Sequence, residues 1–221
     1  MRDKARGLRA RPYASGSRVA KLNTQGVREV LGVLLADGCL VGNRAPTKDR
    51  ITAAMRGGEG ERAFLEEKAA EIRRWIPTTA RLTPYQTQQR ESGRSTTVLR
   101  FRFTSDKLLL IYNLLYPYGE REITQPALEI LDARAAAWLW AEGARPFEGK
   151  GTLLRRVGQT EAEARFVSDW LSSLTQAESI VVYPRSKGSP RLHFEPDQVR
   201  RLQIALEPWA PASRARLFAP G

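Results

Sequence analysis

The pattern of apolar and polar positions divides the chain into a helix, two strands, a helix, two strands and a further helix, and then runs through the same order again. Val27–Asp37 is apolar almost all round, which predicts a buried helix, and Gly38 follows it as a stop signal. Cys39–Ala45 and Arg50–Arg56 predict a hairpin that turns at Pro46–Asp49. Gly60–Ile76 is amphipathic, with Phe64, Leu65, Ala69, Ile72 and Trp75 on one face. Thr78–Gln88 and Thr96–Thr104 predict a second hairpin across the polar loop Gln89–Ser95. Ser105 or Asp106 then caps a helix to Leu115, which Pro117 and Gly119 end.

The second half follows the same plan. Asp132 caps a helix to Glu142, with Gly143 as its stop, and a hairpin over Ala144–Val157 turns at Gly149–Gly151. Thr160–Leu174 is amphipathic, with Phe166, Val167, Trp170, Leu171 and Leu174 inward. Strands at Ser179–Pro184 and Pro190–Phe194 bracket the turn Ser186–Ser189, and Pro196 opens a last helix to Leu206. Leu34-Leu35-Ala36-Asp37-Gly38 aligns with Leu139-Trp140-Ala141-Glu142-Gly143, Phe101-Arg102-Phe103 with Leu192-His193-Phe194, and Asp106 with Asp197. The prediction is an α+β fold of two pseudo-symmetric αββαββα halves with antiparallel sheets and paired central helices. Its boundaries are an arm at 1–26, a first half at 27–118, a linker at 119–131, a second half at 132–207 and a tail at 208–221.

Asp37 and Glu142 stand where a carboxylate is disfavoured. An acid in the last turn of a helix faces the negative end of the macrodipole, at a cost of ~0.3–1 kcal/mol. One such acid is explained by solvation, but two in register need a shared cause, and a divalent cation supplies the missing positive charge. Gly32 and Ala36 are four residues apart on one helix, and Ala137 and Ala141 take the matching places on the other. Small residues at that spacing let helix backbones approach closely, which would bring the two carboxylates together. Two carboxylates, their neighbouring carbonyls, waters and phosphate oxygens can make a Mg²⁺ shell, suited to phosphodiester hydrolysis.

Charge narrows the partner. With 36 Lys and Arg against 24 Asp and Glu, the net charge of +12 favours a polyanion: DNA, RNA or an anionic membrane surface. The longest apolar run, Val30–Ala36, is too short to span a bilayer, and no basic amphipathic helix with an apolar anchor face stands out. The single cysteine, Cys39, and single histidine, His193, exclude a disulfide framework, a thiolate zinc site and a His-rich metal centre. Residues 1–26 carry seven basic side chains and one acid, which reads as a flexible nucleic-acid-binding arm, although an organelle transit peptide has a similar composition. The four predicted hairpins hold 16 Lys and Arg against five acids. Arg100 and Arg102 alternate with Leu99, Phe101 and Phe103, and Arg191 and His193 with Leu192 and Phe194, so the basic set is expected to face outward from the sheets. β-Ribbons fit the major groove, where Arg can contact guanine bidentately.

Val30–Leu40, VLGVLLADGCL, resembles the signature helix of the LAGLIDADG homing endonucleases, and Ala136–Gly143, AAWLWAEG, resembles its second copy. The resemblance implies a single-chain, two-motif protein in which Asp37 and Glu142, with the carbonyls of Ala36 and Ala141, hold Mg²⁺ (or Mn²⁺) while the sheets read a long duplex site. The DNA contacts expected on this basis are Lys48, Arg50, Arg56, Arg100, Arg102, Arg145, Arg155, Arg156, Arg185, Lys187, Arg191 and His193. Family members place polar or basic residues, often lysine, near the cleavage centre, and Arg56, Arg145, Arg155 and Arg156 are the candidates. The second motif departs from the pattern by its Glu and by the bulk of Trp138 and Trp140.

Three function classes follow. The leading one is a monomeric, site-specific double-strand DNA endonuclease, with mobility of an intron or intein as its setting. A DNA-binding protein that has lost catalysis is the second, and an RNA-splicing maturase acting on intron RNA is the third. The expected compartment is the cytoplasm, associated with the nucleoid, in a prokaryote or phage, and an organelle matrix where the arm is a transit peptide.

Overall fold

A computed structural model describes residues 22–42, 50–88, 95–147, 150–184 and 188–219. The elements are α1 (Thr24–Asp37), β1 (Cys39–Gly42), β2 (Ile51–Gly57), α2 (Arg62–Trp75), β3 (Leu82–Gln88), β4 (Ser95–Ser105), α3 (Leu109–Leu115) and α4 (Gln125–Glu129), followed by α5 (Ala133–Gly143), β5 (Ala144–Pro146), β6 (Thr152–Leu154), α6 (Glu161–Thr175), β7 (Ile180–Val182), β8 (Arg191–Phe194) and α7 (Pro196–Leu206). The strands form two antiparallel four-stranded sheets of identical order, β1-β2-β4-β3 and β5-β6-β8-β7. The predicted repeat is therefore one of topology, with both halves drawing on a single core.

Local chemistry explains most boundaries. Asn23 accepts the Gly26 N–H at 2.7 Å, so α1 begins at Thr24, inside the stretch expected to be an arm. Asp132 accepts the Arg134 and Ala135 N–H groups, and Thr160 forms a capping box with Glu163. A 3-10 turn, Glu59–Glu61, leads into α2. Gly143 ends inside α5 instead of stopping it, and the cap passes to Ala144. The second sheet is smaller than its pattern predicts, with strands of three or four residues against seven to eleven in β2, β3 and β4.

The segments read as linker and tail both carry structure. The linker holds α4, capped by Thr124. Residues past 207 form two 3-10 turns, Glu207–Trp209 and Ala212–Leu217, and end on Phe218, which is fully buried. Glu67 of α2 accepts the N–H groups of Ala212 and Ser213, Arg214 pairs with Glu61 at 3.0 Å, and the Leu217 carbonyl accepts from Gln203 at 2.9 Å. This segment thus ties a helix of the first half to the second.

The centre of the molecule is the packing of α1 on α5. A Cβ on Gly32 would lie 2.8 Å from the Ala135 Cβ, closer than real side chains approach, so only glycine allows this crossing. At the N-terminal ends Arg28 lies 3.5 Å from Asp132, and Arg134 donates to Glu29 at 3.1 Å and Glu71 at 3.0 Å. The helices are therefore parallel, and their C-terminal ends also emerge side by side. Among the described residues no helix is long and apolar enough to cross a membrane.

Candidate active site and nucleic-acid interface

Parallel packing puts two negative dipole ends together, and each helix carries an acid in its last turn: Asp37 on α1 and Glu142 on α5. Both carboxylates contact one side chain. Arg156 donates through Nη1 to Asp37 Oδ1, and its Nη2 lies 3.8 Å from Glu142 Oε1. The two acids therefore flank a single guanidinium. Partial burial opposes the charge on Arg156, but Asp37, by charge and hydrogen bond, and Glu142 outweigh it and raise its pKa above the ordinary arginine value.

Arg156 reaches this position from a strained backbone. Its φ of 67° is left-handed, a conformation that costs a non-glycine residue about 1–2 kcal/mol. The segment is held against the end of α5 by the bond from Arg155 N to Gly143 O at 3.1 Å, and a Cβ on Gly143 would strike the Arg155 carbonyl at 2.5 Å. A second cation lies beneath the other acid. Lys68 of α2, only 1% exposed, donates to Glu142 Oε2 at 2.5 Å. Arg121, from the linker, donates to the Leu35 carbonyl at the end of α1 and lines a cleft of about 290 Å³ with Asp37, Tyr116, Arg156 and Glu163.

The donor set suits a hard divalent cation such as Mg²⁺ or Mn²⁺. Asp37 Oδ2 is buried without a hydrogen-bond partner, which leaves one carboxylate oxygen uncompensated. The Leu40 N–H, which a continuing helix would aim at the Ala36 carbonyl, donates instead to the Tyr116 hydroxyl at 3.2 Å. Ala36 and Ala141 are both buried beside the acids. Among the described residues no group of three or more His, Cys, Asp or Glu side chains converges. The residues present thus fit an ion that keeps several waters or takes phosphate oxygens, as Mg²⁺ does.

The sheets leave this point directly, since β1 starts at Cys39, two residues after Asp37. Registers place Arg56 beside Arg100 and Arg102 beside Ala54 on the face away from the core, as alternation predicts. That face forms a shallow cleft of about 360 Å³ lined also by Thr52, Tyr85 and Val41. Arg100 stacks over the Tyr85 ring at 4.2 Å. Arg50 is exposed just before β2. In the second sheet, exposed Arg145 and half-buried Arg191 share the corresponding face with Leu153, Ile180 and Val182. Arg155 is exposed past β6. His193 corrects the sequence reading: it lies on that face but is buried, donating through Nε2 to the Lys150 carbonyl at 2.6 Å under the edge of Phe147. Lys48, Arg185, Lys187 and residues 1–21 lie outside the described residues.

The model of the LAGLIDADG DNA endonuclease family matches residues 28–202, a span that takes in both central helices and both sheets. The chain belongs to that family. Its fold is the LAGLIDADG homing endonuclease fold with two repeated halves. The homing endonuclease I-WcaI bound to its DNA recognition sequence superposes with a TM-score of 0.72 at 11% identity, covering 97% of this chain and 96% of that one. I-DmoI in complex with DNA and Ca gives 0.56 at 14% identity, covering 88% and 98%. A variant of I-DmoI in complex with its target DNA in the presence of Mg gives 0.52 at 11%, covering 83% and 96%. No curated protein matches in sequence.

Of the four basic candidates for the LAGLIDADG centre, Arg156 is the one the fold places between the acids. Lys68 is missed by the sequence reading, although its signal is present. It occupies the apolar stripe of α2, four residues from both Phe64 and Ile72, where a lysine needs a buried partner. Arg121 has no such signal, because nothing in a linker sequence shows which helix end it will reach.

Proposed function

We propose that the protein is a site-specific double-strand DNA endonuclease that hydrolyses phosphodiester bonds with Mg²⁺ or Mn²⁺ held at Asp37 and Glu142. The observation that carries this reading is the meeting of two helix-end carboxylates on one guanidinium, at the point where a basic sheet face begins. The family and the DNA-bound relatives support it. Asp37 and Glu142 would hold the cation, with the carbonyls of Ala36 and Ala141 at hand. When bound, the cation would activate water and stabilise the leaving oxygen. Arg156 is permanently charged, so its part is to bind phosphate and not to move protons. Arg56, Arg100 and Arg102 on one sheet, and Arg145 and Arg191 on the other, would grip and read the duplex. The unequal sheets suit an asymmetric target read by one chain, acting as a monomer.

The test is cleavage of a library of long random duplexes with Mg²⁺. A cut set that disappears with Asp37→Asn and Glu142→Gln is expected, and no cut duplex in any divalent cation would sink the reading. One observation favours a second reading, a DNA-binding protein without catalysis. Arg156 and Lys68 already balance the two acids by charge, so the centre is stable with no added ion. Such a binder would keep full DNA affinity after Asp37→Asn and Glu142→Gln, whereas the endonuclease loses cleavage.

A further inference from the structure

The two carboxylates have different counter-ions. Glu142 is held through Oε2 by an ammonium that is only 1% exposed. Asp37 is held through Oδ1 by Arg156, whose side chain is 43% exposed, and its Oδ2 has no partner. The pseudo-symmetry shows that this difference is built in. The buried faces of α2 and α6 share one spacing, with Phe64, Leu65, Lys68 and Ile72 answering to Glu163, Ala164, Val167 and Leu171. Where the first half places a buried lysine, the second places a fully buried valine. One acid therefore has a permanent counter-ion and the other an exchangeable one.

We infer that Lys68 is a positioning residue that makes the two metal-binding carboxylates unequal, fixing and neutralising Glu142 so that a divalent cation is recruited through Asp37. The inference rests on the endonuclease reading of the site. Fixing Oε2 leaves Glu142 only Oε1 to present, on the side where Arg156 now lies. The attraction of the centre for an incoming cation then comes chiefly from Asp37, where Arg156 can withdraw toward solvent or a phosphate as the ion arrives. A neutral side chain at position 68 would free the charge of Glu142 and strengthen cation binding, the opposite of what damage to a structural residue does.

The test is Mn²⁺ binding to the full chain, counted from the loss of the free Mn²⁺ electron paramagnetic resonance signal. In the parent protein Asp37→Asn is expected to weaken binding about tenfold or more and Glu142→Gln by less than about threefold, with a tenfold change corresponding to about 1.4 kcal/mol. Lys68→Met is expected to tighten binding by about tenfold and to make it sensitive to Glu142→Gln. Lys68→Gln, which keeps a donor but removes the charge, should fall between them and carries the test if the methionine variant loses its circular dichroism. Equal losses for the two acid variants, or unchanged or weaker binding in the folded Lys68 variants, would overturn the inference while leaving the endonuclease reading intact. Absence of Mn²⁺ binding in the parent and every variant would overturn both. Binding as described without any DNA cleavage would support the inference and sink only the catalytic reading.

Discussion

Lys68 has nowhere to place its charge when its partner is lost. Glu142→Ala would leave a buried ammonium with, among the described residues, the Phe64 ring 5.0 Å away for company, and breaking a buried pair in this way costs about 3–5 kcal/mol. Asp37→Ala leaves Arg156, which is half-exposed and can be resolvated, so the loss is expected to stay near ~1 kcal/mol or below. Urea denaturation of the two variants checks this, and equal losses would contradict the burial argument. The anomaly at position 68 is legible as a misfit, a lysine among Phe64, Leu65 and Ile72. Its meaning is not, because Glu142 lies 74 residues away on a helix whose packing the periodicity of α2 does not report.

At the scale of elements, what is encoded locally is legible. The caps at Asp132 and Thr160 and the proline start of α7 follow from side chains within three residues of the helix ends. Features set by distant contacts are not. Ala144–Val157 alternates well enough to predict a long hairpin, yet only three residues of each strand pair. His193 has the parity of an outward residue, but Phe147 and the Lys150 carbonyl cover it. Small residues do bring the helices close at Gly32, although its neighbour is Ala135 and not a residue of the aligned pair. Gly32→Leu would force α1 and α5 apart and is expected to cost about 1–3 kcal/mol. It should also abolish Mn²⁺ binding while the far-ultraviolet dichroism of the sheets persists. Gly60, where an added Cβ would meet nothing within 4 Å, is the control: Gly60→Ala should leave stability unchanged or raise it by about 0.4–1 kcal/mol.

Across the whole molecule, two sheets of equal topology differ in chemistry. The first presents Arg56, Arg100 and Arg102, while the second mixes Arg145 and Arg191 with Leu153, Ile180 and Val182. Affinity set by phosphate contacts falls with salt by about 0.9 in log–log slope for each phosphate neutralised. Arg100→Ala with Arg102→Ala should therefore reduce the salt slope of duplex binding by up to about two, the full amount if both side chains meet phosphates. His193→Ala should leave it unchanged, and fluorescence anisotropy over a salt series distinguishes the two. The segment Ala212–Leu217 spans from α2 to the second half, so the halves are expected to unfold together in one transition instead of two.

The central claim is that Asp37 and Glu142 face one cation position at the paired helix ends. Anomalous diffraction from crystals grown with Mn²⁺ tests it most directly. A manganese peak bound to Asp37 is expected, on the side turned toward Glu142 Oε1, with the Arg156 guanidinium displaced from between them. Manganese found only at other acids, with the Asp37–Arg156 pair intact, would contradict it.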